Sequence, residues 1–540
     1  MENLLQKYQS NFPEITSLFE YQETVLKLLA AKKNTLGIIP TGGGKSLIFQ
    51  LAALELEGVT LVISPLLALM DEQVNELNDL RNIKALGLNS NLSFIEQRQL
   101  LRNLKNESYK LVYVSPERLQ NPFFRAGLIA SGVPISLIVV DEAHCISQWG
   151  SSFRPDYGQI SSFVEFLKVE RQNPFLFCLT ATLSKEARKD ILEEFSIKEE
   201  QVFIAKNMIR DNLKLYFQRV EHEDEKETYL RGFLETHKPQ KSIAYLYSKR
   251  ECENYAEKLA DIYTTDYFHA GRDTYDKQSV YRNYLNSEIQ ILFATTAFGM
   301  GINIPDIESV IHLHIPNSIE EYYQQVGRGW RKKNEMKDCQ CLALWSNVNF
   351  DRRRQDLENQ KYDIQFLKRA YKVLIGGARL KSIGQIVNKD KDAMLNSEYN
   401  LQLLKYKLEK HGVLKTIGEI NGTPLTIKFI SDTEFWRNIK QAAHDGMDSF
   451  SYVSRMLNIP ILDIIHHLYE QDLKGNIEKM PAMKKDVFFE LLTMELDDSV
   501  CQEIVQEINN ELDFRISQLD DLQELFSSNN HEEKLSEVLK

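Results

Sequence analysis

The sequence predicts an α/β protein with two tandem domains, each built on a parallel β-sheet covered by helices. Short apolar segments alternate with helical patterns through residues 1–203, and the same alternation returns through residues 204–347. Such alternation is typical of β-α-β units. A glycine-rich pattern lies at 39–46 and two arginines lie within 324–331, one signature in each half. We therefore expect a cleft between the domains with functional residues on both sides.

The predicted strands are short, largely apolar runs. Runs of this length without polar alternation are expected for strands buried on both faces. They lie at 36–39, 61–64, 111–115, 137–140 and 176–179 in the first domain, and at 242–247, 290–294, 309–313 and 341–344 in the second.

A phosphate-binding loop is predicted between the strand at 36–39 and a helix over 47–54. Strand, glycine loop and helix in this order let backbone N–H groups and the helix N-terminus bind phosphates. We expect Lys45 to contact the β- and γ-phosphates and Ser46 to ligate Mg²⁺. The residues of the loop expected to hold ATP are Thr41, Gly42, Gly43, Gly44, Lys45 and Ser46.

Two adjacent carboxylates follow the apolar strand at 137–140. Asp141 and Glu142 are placed at the carboxyl end of that strand, where ligands bind in open α/β sheets. We expect Asp141 to hold Mg²⁺ together with Ser46. Glu142 is expected to orient or deprotonate the water that attacks the γ-phosphate.

Composition is that of an ordinary globular protein, with 43% hydrophobic and 26% charged residues among 540. The sequence has no apolar run of membrane-spanning length and no signal-peptide pattern at its start, so we expect a cytoplasmic location and no membrane partner. The net charge is −12, but residues 501–540 alone hold ten acidic against three basic residues. A mildly acidic remainder can still present a basic groove, so net charge does not exclude DNA.

The chain changes character after residue 347. A linker helix and a winged-helix-like domain are predicted over 348–430, and an acidic helical region over 431–540. The winged-helix prediction rests on helices at 366–375, 382–387 and 401–410, followed by a hairpin whose strands at 413–417 and 424–429 flank Asn421-Gly422. This hairpin is either a strand-separating wing or a plain structural hairpin.

Further motifs follow one another in a fixed order. They are Phe19–Gln22, Ile63–Gln73, Val114–Arg118, Asp141–Trp149, Leu179–Thr182, Ser248–Arg250, Phe268–Gly271, Ala294–Asp306 and Tyr322–Arg328. With the run Asp-Glu-Ala-His-Cys-Ile-Ser-Gln-Trp-Gly at 141–150, these motifs make residues 15–345 resemble superfamily 2 helicases of the RecQ family. The resemblance implies two RecA-like domains and ATP-driven 3′→5′ translocation on single-stranded DNA.

The resemblance also implies roles for individual residues at the ATP site. Gln22 is expected to read adenine, and Thr180 and Thr182 to couple hydrolysis to domain movement. Gln324, Arg328 and Arg331 are expected to face the γ-phosphate from the second domain. An arginine in such a position accelerates related phosphoryl transfers by roughly 10³–10⁵.

For DNA, the resemblance implies a sensing loop formed by Trp149, Phe153, Arg154 and Tyr157. Aromatic faces stack on any base, which gives binding independent of sequence. The alternative is that Trp149 and Phe153 are core aromatics. Ser64 and Ser115 lie where the family contacts backbone phosphates, a task suited to hydroxyl groups; the alternative for both is a simple turn at a strand end.

The sequence also departs from the family pattern. Glu20 stands where the family usually has a basic residue, and Trp330 adds bulk between Arg328 and Arg331. The family's four-cysteine module is absent, so we expect ATP and Mg²⁺ as cofactors but no zinc. The leading reading is a helicase acting on single-stranded and partly duplex DNA.

Two other readings stay open. One is an ATP-gated DNA clamp or assembly subunit whose C-terminal helices dock a protein partner. The other is an RNA helicase.

Overall fold

The computed structural model describes residues 4–65, 67–88, 94–147, 154–205, 209–298, 304–331, 337–375, 380–382, 398–421 and 495–539, together with Glu335 and parts of 427–493.

The first domain is a seven-stranded sheet in which every strand pair is parallel, with the order β3-β4-β2-β5-β6-β1-β7. Four of its strands are buried along their whole length, as the unbroken apolar runs predict. Its strands are β1 (Thr35–Ile38), β2 (Val59–Ile63), β3 (Ala85–Leu88), β4 (Leu111–Val114), β5 (Ile135–Val140), β6 (Phe175–Thr180) and β7 (Val202–Ile204). Its helices are α1 (Leu4–Lys7), α2 (Glu20–Ala30), α3 (Lys45–Glu55), α4 (Leu67–Asn75), α5 (Phe94–Asn103), α6 (Pro122–Ala130), α7 (Ile160–Val169) and α8 (Lys185–Glu194).

The second domain repeats this plan with a six-stranded parallel sheet of order β10-β11-β9-β12-β13-β8. The two predicted parallel-sheet domains are therefore confirmed. The strands are β8 (Leu213–Arg219), β9 (Ser242–Tyr245), β10 (Thr265–Phe268), β11 (Ile291–Ala294), β12 (Ser309–His312) and β13 (Cys339–Trp345). The helices are α9 (Glu225–His237), α10 (Lys249–Leu259), α11 (Thr274–Leu285) and α12 (Ile319–Val326).

The C-terminal region contains helices and small antiparallel sheets. Its helices are α13 (Asn347–Glu358), α14 (Ile364–Ile375), α15 (Glu398–Lys410), α16 (Asp498–Ser527) and α17 (His531–Leu539). Its strands are β14 (Leu380–Ser382), β15 (Leu414–Asn421), β16 (Ile427–Phe429), β17 (Ile477–Lys479) and β18 (Lys485–Leu491). The helices predicted at 366–375 and 401–410 are confirmed. The one predicted at 382–387 begins at the last residue of β14 and otherwise falls outside the described residues.

The predicted hairpin is wrong in its strand pairing. β15 pairs antiparallel with β18, and β16 pairs with β17. Two apolar side chains of β18, Phe489 and Leu491, are buried in this pairing, a long-range contact that no local turn signal encodes. The strands β17 and β18 also correct the prediction that 431–540 is helical throughout. They belong to two different sheets, and each pairs with a strand from before residue 430.

The acidic helix α16 lies against the rest of the chain. At one end Phe526 packs on Phe217 and Tyr322, with ring centroids 4.9 and 5.3 Å away. Near its middle Glu511 pairs with Lys407 of α15, and both side chains are almost fully buried. Part of the acidic charge at the C-terminus is thus neutralised by the lysines of α15 within the same chain.

Replacing Lys407 with alanine would leave the buried carboxylate of Glu511 without its cation. Breaking a buried ion pair in this way costs about 3–5 kcal/mol, so we expect the Lys407→Ala variant to lose hydrogen-exchange protection across residues 498–527. Lys410 is a matched control because it is half-exposed and reaches Glu507 at 3.3 Å; Lys410→Ala should cost about 0–1 kcal/mol. Unchanged protection in Lys407→Ala would contradict this account of α16 docking.

Candidate ATP and nucleic-acid site

The phosphate loop joins β1 to α3 in the backbone conformation that its glycines permit. Gly42 and Gly44 have φ values of 77° and 72°, in the left-handed region that side chains disfavour. Gly44 is the cap residue of α3, and Lys45 is the first residue of the helix. A Cβ at Gly44 would lie 2.6 Å from Nε2 of Gln22. Glycine is therefore required here both for its conformation and for space.

Helix α2 fastens the loop from outside. The Gln22 side chain donates from Nε2 to the carbonyl oxygens of Gly43 and Gly44, both at 3.3 Å, and accepts the backbone N–H of Phe19 at 2.9 Å. The Tyr21 hydroxyl also donates to Gly43 O. Gln22 is buried, so the structure places it on the loop backbone. Its reading of adenine stays a prediction.

The carboxylate pair lies at the carboxyl end of β5, as predicted. Burial raises the pKa of Asp141 to about 6, and the neighbouring Glu142 charge adds to the effect. Burial would also raise the pKa of Glu142, but the positive charges led by Lys45 outweigh it and lower that pKa. The Ser64 hydroxyl donates to Asp141 Oδ2 at 3.4 Å. The pKa of Asp141 is therefore raised and that of its neighbour Glu142 is lowered.

These residues fit a Mg²⁺–ATP complex. Ser46 stands at the start of α3, one residue after Lys45, and its hydroxyl accepts a hydrogen bond from Gln73 Nε2 at 3.1 Å. Oε2 of Glu142 is buried and accepts no hydrogen bond from the described residues. A buried acceptor of this kind needs a partner, and a water molecule in front of the γ-phosphate would supply one.

A short hydrogen-bonded path leaves the carboxylate pair. His144 Nδ1 lies 3.0 Å from the Thr180 hydroxyl, which donates to the carbonyl of Thr182 at 2.8 Å. Burial lowers the pKa of His144. Because the Thr180 hydroxyl already donates to Thr182, it accepts from Nδ1 of His144, which also lies 3.4 Å from Glu142 Oε2. The sequence assigned no role to His144, although it stands in the same motif as Asp141. Its link to Thr180 is visible only in three dimensions.

The second domain meets the phosphate loop at the turn that follows α12. The Thr41 hydroxyl donates to the carbonyl of Gly327 at 3.5 Å, and a Cβ at Gly327 would lie 2.5 Å from that hydroxyl oxygen. Arg331 donates from Nε to Gly327 O at 3.0 Å. Arg328 is buried, and its charge helps to lower the pKa of Glu142. The two predicted arginines therefore reach the nucleotide cleft.

The remaining predicted residue of this group, Gln324, is partly exposed on α12. Burial lowers the pKa of Arg331 to about 9, and the charges of Arg328 and Arg210 act in the same direction. Three arginines thus crowd one side of the cleft. A polyanionic phosphate chain is the ligand that would relieve their mutual repulsion.

A cavity of about 490 Å³ opens beside the phosphate loop. Trp330 lines it but is almost fully buried, because its indole N–H donates to Glu335 O and its backbone N–H to Ile307 O. The tryptophan thus forms a wall of the cleft, where its bulk was expected. The other lining residues are Phe19, Glu20, Tyr21, Thr24, Pro40, Thr41, Gly42, Gly43, Phe203, Ala205, Arg210 and Arg331.

The residues predicted to form the DNA-sensing loop divide into three groups. Trp149 and Phe153 lie outside the described residues. Arg154 donates from Nη1 to Pro65 O at 3.4 Å, and so stands next to the turn after β2. Tyr157 is buried, and its hydroxyl donates to Asp141 O at 2.8 Å. The structure places Tyr157 in the core of the first domain, and its contact with DNA stays a prediction.

Ser64 and Ser115, the two serines expected at backbone phosphates, are both buried at strand ends. The hydroxyl of Ser64 is directed to Asp141, and Ser115 precedes a short 3₁₀ helix. Their contact with DNA stays a prediction.

Comparison with known proteins agrees with this geometry. Residues 19–191 match the family model "DEAD/DEAH box helicase", and residues 225–333 match "Helicase conserved C-terminal domain". The fold is similar to that of the DUF1998 helicase MrfA in its crystal structure with DNA and AMPPNP, with a TM-score of 0.52, 16% identity, and coverage of 65% of this chain and 52% of that one. Fold and site together define the class, which is superfamily 2 helicases with two RecA-like domains.

Curated relatives narrow the class. The chain is 31% identical to the probable ATP-dependent DNA helicase RecS of Bacillus subtilis, over 68% of this chain and 72% of the relative. It is 34% identical to the ATP-dependent DNA helicase RecQ of Synechocystis, over 61% and 68%. The chain belongs to the RecQ family of helicases. It spans 58% of the RecQ of Bacillus subtilis, to which it is 34% identical over 64% of its own length.

No helix in the described part of the chain has the length and apolar character needed to cross a membrane. All six cysteines are buried free thiols. The expectation that the protein holds no zinc stays a prediction.

Because folding shifts the pKa values of Asp141 and Glu142 in opposite directions, their effects on stability can be tested. Because folding raises the pKa of Asp141 from 3.8 to about 6, its ionised form lowers the stability of the metal-free protein as the pH rises through that range. Asp141→Asn should therefore raise the melting temperature in EDTA at pH 8, with a smaller gain at pH 5. Glu142→Gln should lower it at pH 8, because the folded state favours the ionised form of Glu142. A lower melting temperature of the Asp141→Asn variant at pH 8 would contradict the raised pKa of Asp141.

Proposed function

We propose that this chain is an ATP-dependent DNA helicase of RecQ type that moves 3′→5′ along single-stranded DNA and separates duplexes. We call residues 327–331, which follow α12, the arginine turn. The observation that carries the proposal is the contact of this turn with the phosphate loop: the Thr41 hydroxyl donates to Gly327 O, and the charge of Arg328 lowers the pKa of Glu142. A nucleotide between these surfaces would touch both domains. Its hydrolysis would therefore change how the domains are held together.

Each residue of the cleft has a separate task in hydrolysis. Lys45 and the loop amides would bind the phosphates, and Ser46 and Asp141 would hold Mg²⁺, which neutralises phosphate charge when bound. Glu142, whose pKa is lowered, would orient the attacking water through its Oε2 atom, which lies 3.4 Å from His144 Nδ1 and accepts no hydrogen bond from the described residues. Arg328 and Arg331, with Gln324 nearby, would stabilise the charge that develops on the γ-phosphate.

Movement would pass from the ATP site to DNA through the first domain. The path from His144 to Thr180 and Thr182 begins beside Glu142. The Tyr157 hydroxyl donates to Asp141 O, which connects the end of the predicted DNA-sensing loop to the backbone at the carboxylate pair. We assign Trp149 and Phe153 to stacking on bases, and Arg154, Ser64 and Ser115 to the sugar–phosphate backbone. Coupling of this kind would make the contact with DNA bases depend on which nucleotide is bound at the ATP site.

The expected partners are single-stranded and partly duplex DNA, and the expected location is the cytoplasm, in repair, recombination or genome defence. ATP and Mg²⁺ are the inferred cofactors, without zinc. The C-terminal helices remain a candidate surface for a protein partner, although α16 uses Glu511 on α15 and its terminal Phe526 on the second domain.

Steady-state ATP hydrolysis tests the proposal first. We expect single-stranded DNA to stimulate turnover and single-stranded RNA to have little effect. Lys45→Ala should reduce turnover by about 100-fold or more, since the charge on the β/γ-phosphates is lost, without changing the melting temperature. Stimulation by RNA alone would favour an RNA helicase. Full activity of Lys45→Ala would refute the assignment of the phosphate loop.

Strand displacement tests the direction of movement. A duplex with a single-stranded 3′ tail should be opened with ATP, while the same duplex with a 5′ tail or blunt ends should not. Glu142→Gln serves as a hydrolysis-deficient control that should bind the tail without opening the duplex. Strong DNA-stimulated hydrolysis with no displacement of either substrate would favour the clamp reading instead.

A further inference from the structure

Arg210 lies on the segment that joins the two domains, at a place the sequence motifs did not mark. β7, the last strand of the first sheet, ends at Ile204, and β8, the first strand of the second, begins at Leu213. The side chain of Arg210 is largely buried and lines the nucleotide cavity. A long charged side chain is held in such a place only when its N–H groups have acceptors.

The acceptors of Arg210 are two carbonyl oxygens of the arginine turn. Nη1 donates to Gly327 O at 3.0 Å, and Nη2 donates to Trp330 O. The backbone N–H of Arg210 donates to the Tyr323 hydroxyl of α12 at 3.1 Å. The guanidinium therefore bridges the start and the end of the segment that presents Arg328. The planar guanidinium has N–H donors in fixed directions, so it can bind both carbonyls at once. The ammonium group of lysine lacks this geometry.

The turn needs such a support because of its sequence. Residues 327–331 read Gly-Arg-Gly-Trp-Arg, and glycines leave a backbone free to adopt many conformations. Gly327 O already accepts from Arg331 Nε and from the Thr41 hydroxyl across the cleft. Arg210 Nη1 donates to this same oxygen. The carbonyl of Gly327 is thus hydrogen-bonded to Arg210 of the linker, to Arg331 and to Thr41 of the phosphate loop.

We propose that Arg210 is a positioning residue for the arginine turn, and that it transmits the position of the interdomain linker to Arg328 and Arg331. This inference rests on the proposed ATPase function of the cleft. A movement of the linker at Arg210 would be carried to the turn by its two hydrogen bonds. Asn212, which also donates to Trp330 O at 3.3 Å, provides a second, weaker attachment from the same segment.

The test compares Arg210→Lys with Arg231→Lys. Arg231 is a matched control because its guanidinium also bridges two acceptors, the carboxylate of Glu227 and the carbonyl of Lys258, but on α9 away from the cleft. Lysine at 210 keeps the charge but cannot hold both carbonyls. Displacing a catalytic group by about 1 Å costs roughly 100-fold in rate, so we expect kcat with single-stranded DNA to fall about 10- to 100-fold, KM for ATP to change little, and Arg231→Lys to behave as the parent protein.

Two further measurements separate positioning from general damage. The affinity for ADP with aluminium fluoride, a mimic of the transferring phosphoryl group, should fall in Arg210→Lys by the same factor as kcat, while the affinity for ADP alone stays the same. Adding Arg210→Lys to an Arg331→Ala, Arg328→Ala background should cause no further loss, because the groups it positions are gone. Arg210→Gln, which can keep one of the two bonds, should lie between lysine and the parent protein or equal lysine.

The proposal is overturned if Arg210→Lys keeps the parent kcat and the parent affinity for ADP with aluminium fluoride. It is equally overturned if ADP affinity and melting temperature fall together with kcat, or if Arg210→Lys adds its full loss to the double arginine variant. Absence of ATP hydrolysis in the parent protein would contradict the proposed function instead. The ratio of the two nucleotide affinities would then still decide the role of Arg210.

Discussion

The contact between the phosphate loop and the arginine turn is the constraint on which the rest of the structure depends. At that point two glycine-containing segments from different domains meet, and neither Gly44 nor Gly327 has room for a Cβ. Each sheet delivers one segment from the carboxyl end of a strand, β1 on one side and β12 through α12 on the other. The contact consists of backbone atoms and one threonine hydroxyl, with a hydrogen bond of 3.5 Å. A nucleotide bound between the two segments would therefore touch both domains.

A second connection between the domains runs through the C-terminal region. Phe526 of α16 packs behind Tyr322, on the helix that leads into the arginine turn. The same helix is joined to α15 by the buried pair of Lys407 and Glu511. In turn, Glu409 of α15 accepts a hydrogen bond from Gln159 of the first domain at 3.3 Å. The acidic C-terminus thus contacts the second domain directly and the first domain through α15, which gives its charge an intramolecular role.

What the sequence could predict follows from the range of the interactions involved. Strands buried on both faces and the strand–loop–helix of the phosphate site depend on local patterns, and they lie where the sequence placed them to within two residues. The β15 pairing failed because its partner Phe489 lies about seventy residues away, beyond any local turn signal. Tyr157 is another example. An aromatic residue in a DNA-sensing motif looks the same in sequence whether its ring faces solvent or, as here, the core.

The buried position of Tyr157 changes how coupling between DNA and ATP has to work. Its hydroxyl donates to the carbonyl of Asp141, and the backbone N–H of Arg154 donates to Cys145 O at 3.1 Å within the same motif. Both contacts end on the segment that also carries Glu142. A movement at residue 154 would therefore reach the catalytic carboxylates through hydrogen bonds of the backbone, without any side chain crossing the cleft. The first domain would sense DNA by itself, and the second would respond through the linker and the turn that Arg210 holds.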